Sequence, residues 1–254
     1  MPEPVDVPAA HSMDSSWFAV DQDGAVAVFD TGEGGALPSS DRFPKGGEAG
    51  GDGGLDPFRT LVLLIERRAA GDPALARVLD EAPDWKEKLE EGLMEMEEAD
   101  RDEVAAWVGL YWYSCSEPFA APFVRSVVVP RPLPVAEWPS DLAARLRGAG
   151  LPVRFSEHPV VAPGEHVEVE SWDQHWLDRA GKLHRTDGRP VDPTDLAAFG
   201  SDAERAPPPA VRTVRSDGAL RALIADTLRA AMEAPPPMPP PDTGLWARLK
   251  RMFS

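Results

Sequence analysis

Cysteine is nearly absent: Cys115 stands alone among 254 residues. A lone thiol forms no internal disulfide and no cysteine-rich zinc site. Its neighbours Tyr111, Trp112, Tyr113 and Phe119 favour a small buried thiol over an activated nucleophile, and single-cysteine usage fits a reducing compartment. Basic residues are scarce too: 26 Lys and Arg face 43 Asp and Glu, for a formal net charge of -17. That deficit excludes unspecific nucleic-acid binding, whose affinity comes from Lys and Arg displacing counterions. It also keeps the body of the chain off an anionic membrane. It favours solubility and a basic partner.

Long apolar runs are missing as well. The longest runs from Leu61 to Ile65, against about 20 residues for a membrane span. The opening MPEPVDVPAAHSMDSSW has neither the basic region nor the apolar stretch of a secretory signal. These absences predict a cytoplasmic protein, and no motif calls for a cofactor. No internal repeat is present.

What the chain has in quantity is proline (28) and glycine (21), in clusters. With 43% hydrophobic residues, this predicts roughly 180–190 residues of packed structure with linkers attached. The expected organisation is a loose N-terminus over 1–13, a body over 14–200 with a Gly-rich loop at 44–55, and a linker over 201–216. A helix over 217–234, a polyproline spacer over 235–243 and a terminal peptide over 244–254 complete it.

Inside the body, two apolar runs flank Asp23-Gly24, which predicts a hairpin with strands near 16–21 and 25–30. Asp21, Asp23 and Gly24 read as its turn, since the later acidic ligand of a calcium loop is missing. The glycines of 46–54 lack the Lys-Ser/Thr of a phosphate loop and read as linker. Asp56-Pro57 and Asp72-Pro73 are helix-start signals, for helices reaching about Ala70 and Asp80. A third helix is expected from Asp84. The stretch from Asp84 to Glu103 holds ten acidic and three basic residues, and its acidic side reads as a solvated face or a surface for a basic partner. Strands are expected at 109–115, 123–129, 153–155 and 166–172, a helix at 139–147, and a hairpin around Ala180-Gly181. Most of the eight tryptophans are expected in the core. The fold class is therefore α+β: a mostly antiparallel sheet with helices packed on it, plus a flexible Pro-rich C-terminal tail.

The tail is the most specific feature. Leu245, Trp246, Leu249, Met252 and Phe253 share one face of a helix, while Arg248, Lys250 and Arg251 lie off that stripe. A helix this short is marginal in water, so its apolar face needs a surface. Three surfaces are open: a groove on a protein partner, an anionic lipid interface, or the acidic body of the chain itself. The stiff proline spacer favours a protein partner.

A weaker constellation is His166, Glu168 and Glu170, which alternate along an expected strand and would share one face. With His158 and His175 nearby, imidazole and carboxylate can hold a divalent metal. The plainer reading is the wet face of a strand.

The segment Trp17 to Pro38, WFAVDQDGAVAVFDTGEGGALP, resembles the opening of a set of uncharacterised proteins from high-GC bacteria, myxobacteria among them. The segment Glu165 to Trp172 is also similar to theirs. The resemblance implies no activity and no catalytic residue. The sequence thus predicts a non-enzymatic interaction protein docked to a partner or assembly through residues 244–254. The alternatives are an immunity or inhibitor protein that meets a basic toxin with its acidic surface, and a metal-dependent hydrolase built on the His158 to His175 region.

Overall fold

The structure, a computed structural model, describes residues 15–31, 37–47, 54–82, 84–115, 123–170, 175–177, 183–185 and 210–233. The expected loose N-terminus, the spacer and the terminal peptide lie outside them, as do the turn at Ala180-Gly181 and the first part of the expected linker.

A six-stranded mixed sheet forms the frame. Strands β1 (Ser15–Val20) and β2 (Val26–Asp30) are the expected hairpin, and β3 (Leu37–Pro38) and β4 (Lys45–Gly47) follow. Helices α1 (Pro57–Ala69), α2 (Pro73–Asp80), α3 (Trp85–Glu95) and α4 (Glu98–Val108) then lead into β5 (Tyr111–Cys115) and β6 (Phe123–Val124). The short α5 (Ser140–Arg145) precedes β7 (Val160–Val161), β8 (Val169–Glu170), β9 (His175–Leu177) and β10 (Leu183–Arg185), and α6 (Asp217–Glu233) comes last. The sheet order is β4-β1-β2-β5-β6-β7, antiparallel except for the parallel pair β2 and β5. That parallel step is made by the α1–α4 crossover, since parallel neighbours cannot be joined by a tight turn. β9 pairs antiparallel with β10, as the expected second hairpin requires.

The central strands are buried on both faces. On the helix side, Phe18, Val28 and Trp112 meet Leu61, Ile65, Leu89, Leu93, Ile224 and Leu228. On the other side an aromatic cluster forms: Trp17 stacks on Phe29 at 4.0 Å between ring centroids, and Phe29 stacks on Tyr113 at 5.0 Å. Segments 149–169 cover that face with Leu151, Val153, Phe155 and Val161.

Local signals explain the first two helices. Asp56 accepts from the Arg59 amide at 2.7 Å, and Asp72 accepts from the Ala74 and Leu75 amides, each ahead of Pro at the first helical position. Asp72 also receives Arg221 of α6 at 2.8 Å, so one carboxylate caps α2 and anchors the last helix. Trp107 Nε1 donates to Asp217 Oδ1 at 2.9 Å, and Arg68 lies 3.9 Å over the Trp107 ring.

Several expectations fail for identifiable reasons. The acidic helix from Asp84 is broken: Met96 is extended at ψ 143, and Glu97 starts a new helix by accepting from Asp100 and Arg101. Two acids then sit in the first turn of α4, where the helix dipole favours them. The Gly-rich loop at 44–55 contributes β4 to the sheet edge. A Cβ on Gly46 would overlap Ser16 Oγ and stand 2.6 Å from the Leu55 carbonyl, so only glycine lets the strands approach. Val153 to Phe155 is not a strand; Glu157 and His158 both turn back onto the Arg154 carbonyl. The strand expected at 123–129 keeps two residues in the sheet and then changes partner, with Val127 bridging Arg212. Residues 210–216 are accordingly part of the fold and not linker.

The helix α6 docks across α3 with Leu220, Ile224 and Leu228 inward, while Met232 is exposed. Contact is closest at Gly92, where an added Cβ would meet Thr227 Cγ2 at 2.5 Å. Gly92→Ala is therefore expected to destabilise the chain by about 1–3 kcal/mol. Thermal melts of G92A and of G92A/T227A test this. The double variant should regain most of the loss, and equal melting of the two would exclude that contact as the cause.

Candidate functional site

The outward side of α3 is built from a helical repeat. Glu87, Glu91 and Met94 follow one another at offsets of four and three, and Glu90 lies four residues before Met94. Inward Leu89 and Leu93 fix this orientation by packing into the core. Met94 is left 51% exposed, and the helical spacing puts three glutamates on its side of the helix. Lys88 pairs with Glu91, at 2.9 Å, and Lys86 turns to Glu66 of α1 at 2.6 Å. Glu90 has its pKa raised, first by burial, then by the Asp56 carboxylate, with Glu87 and Glu91 adding to it and Arg59 opposing. The face thus carries more negative charge than its own cations neutralise, around an exposed thioether.

The acidic run is not all solvated, however. Asp102 and Glu103 are each 5% exposed. Glu103 is clamped by the 210–216 segment: Arg212 Nη1 lies at 3.1 Å, Arg215 Nε at 2.7 Å, and the Arg215 amide at 3.1 Å. Arg215 also reaches Asp100. Asp102 accepts from Ser126 Oγ through Oδ2, while its Oδ1 is buried without a hydrogen-bond partner. Burial pushes the Asp102 carboxyl up to about 6, against the lowering effect of Ser126. Beside it, Arg101 pairs with Asp30 at 3.6 Å and lies over the rings of Trp112 and Phe58. Sequence reasoning missed this network because nothing in the run distinguishes its last two acids from the exposed ones. The late Arg212 and Arg215 were the available signal, two cations in a segment read as linker.

A cleft of about 460 Å³ opens at the far end of β1. Its walls are Val20, Val135, Ala136, Ala143 and Leu146. The charged residues lining it are Asp21 and Arg147. Asp21 was read as a turn residue and does more: Oδ1 accepts from the Asp23 and Ala25 amides, and Oδ2 accepts from the Phe155 amide at 2.9 Å.

The His-x-Glu-x-Glu alternation does not survive. Pro163–Glu165 forms a 3-10 turn, and the amides of His166 and Val167 both donate to the Pro163 carbonyl. The strand begins only at Val169, so His166, Glu168 and Glu170 do not alternate along one strand face. His158 is tied to the Arg154 carbonyl through Nδ1 at 2.8 Å. Among the described residues, no group of three His, Cys, Asp or Glu is placed to hold a metal ion. Cys115 is half-buried at the end of β5. The docking residues Leu245, Trp246, Arg248, Leu249, Lys250, Arg251, Met252 and Phe253 lie outside the described residues. Among those described, no helix is long and apolar enough to cross a membrane.

The fold and these sites define an α+β protein with an acidic helical face. No protein-family model matches the chain, and no curated protein or solved structure matches it.

Proposed function

We propose that this chain is a non-enzymatic protein-interaction protein whose outward α3 face receives a basic amphipathic segment of a partner. The observation that carries this reading is Met94, exposed on the same side of α3 as Glu87, Glu90 and Glu91. A flexible thioether adapts to varied apolar side chains, and the carboxylates steer and orient a cationic one. An inhibitor or immunity protein against a basic toxin is the special form of this reading. The terminal peptide 244–254 is its second contact element, the one that docks the body to a partner or assembly.

The test compares three versions of the protein in pull-downs from native lysate: the full chain, a chain ending at Ala234, and E87K/E90K/E91K. The charge-reversed variant should lose partners that are also released near about 1 M salt, where screening reaches about 3 Å. Its melting curve is recorded alongside, since the reversal also removes the Lys88–Glu91 pair. The truncated chain should lose a different set. Identical captures by all three versions would sink the reading.

A further inference from the structure

We propose that the cleft between the β1–β2 turn and α5 is a binding site for a small organic carboxylate with a short apolar body. The walls are fixed before any ligand arrives. Val20 donates to Ala149 and Leu151 donates back to Val20, both at 2.8 Å, while Val135 donates to Gly24 at 2.8 Å. These bonds tie the strand end, the loop after α5 and the segment before it into one rigid rim. At about 460 Å³ the cleft falls in the range of small-molecule sites.

Its chemistry is asymmetric. Apolar groups from Val20, Val135, Ala136 and Leu146 offer surface to a hydrocarbon body. Of the two charged side chains, Asp21 is already spent on three backbone amides, is buried, and acts as wall. Arg147 is exposed and has no ion pair or side-chain hydrogen bond among the described residues. Its guanidinium is the group left to meet a ligand, and its fork geometry matches a carboxylate. Gly148 and Gly150 also line the cleft, and where a Cβ would stand on either there is open space. Among the described residues their amides donate to no backbone acceptor, and they are the backbone donors the lining leaves for a ligand. A cation would meet Arg147 with like charge, and a neutral apolar molecule would leave these donors unused.

The experiment is titration of the full chain with hexanoate, hexylamine and hexanol, followed by calorimetry and by amide chemical shifts. Hexanoate should bind saturably and shift the Gly148 and Gly150 amides. Arg147→Ala should weaken it about tenfold or more, the loss of a charge-assisted hydrogen bond. Ala136→Trp, at an exposed wall position, should block the cleft and abolish binding while the melting temperature stays unchanged. The proposal is overturned if hexylamine or hexanol binds as well as hexanoate. It is equally overturned if R147A binds like the parent, if the shifts fall elsewhere, or if none of the three probes saturates.

Discussion

Replacing Asp102 by asparagine raises the melting temperature at pH 7.5 and brings no gain at pH 4. Asp102 is buried, one of its oxygens meets no partner, and its carboxyl titrates at about 6 against an ordinary 3.8. A carboxyl raised in the folded state holds its proton more tightly there than in the unfolded chain. Its contribution is therefore fully present below about pH 4 and is lost as the pH rises through about 6. At neutral pH the folded chain carries the cost of a buried charge, on the order of 3 kcal/mol from the size of the shift. Asparagine keeps an oxygen for Ser126 and removes the charge. Part of the gain is consumed by its unpaired amide, so about 1–2 kcal/mol remains, or roughly 2–8 °C in this size range. Melting curves of both proteins from pH 4 to pH 8 check this. Parallel curves across that range would show that Asp102 is not the group that titrates.

The clamp on Glu103 makes an asymmetric prediction. The Glu103 side chain is 7% exposed, while Arg212 and Arg215 are 41% and 39% exposed. Glu103→Ala frees two guanidiniums that reach water and keep Asp100 and the Ala99 carbonyl. Its cost is expected at about 1–2 kcal/mol. R212A/R215A instead leaves a buried carboxylate without its two counter-charges, holding the residue 215 amide, and is expected to cost about 3–5 kcal/mol. Adding E103A to that pair should then restore stability, an outcome independent contributions do not produce. Denaturant unfolding of the three variants decides it. A larger loss for E103A than for the arginine pair would contradict the burial argument.

How far these features were legible varies with their range. The first hairpin and the helices after Asp56 and Asp72 carry their instructions within four residues, in turn glycines, caps and N1 prolines. They appear where the sequence puts them. Signals that depend on distant chain did not read. Lys45–Gly47 has no strand-forming side chains and becomes a strand because Gly46 can lie against Ser16. Residues 210–216 look like linker until Glu103 and Val127 supply partners from more than 80 residues away. His166, Glu168 and Glu170 alternate in sequence, yet the 3-10 turn from Pro163 leaves the first two of them outside the strand. At the candidate sites, the acidity of α3 was plain, but which acids face water was not. The Arg147 cleft was invisible, since its walls come from three separated segments.

The position of α6 carries a consequence for how this chain is made. Leu220, Ile224 and Leu228 complete the same core that Leu61 and Leu89 begin, and Asp72 waits for Arg221 across 149 residues. A chain emerging from the ribosome therefore holds the groove beside α3 open until residue 233 has been synthesised, with Gly92, Leu89 and Leu93 facing it. Such long-range closure slows folding and leaves apolar surface uncovered during synthesis. Premature termination before Leu228 yields an incomplete core and a substrate for quality-control proteases.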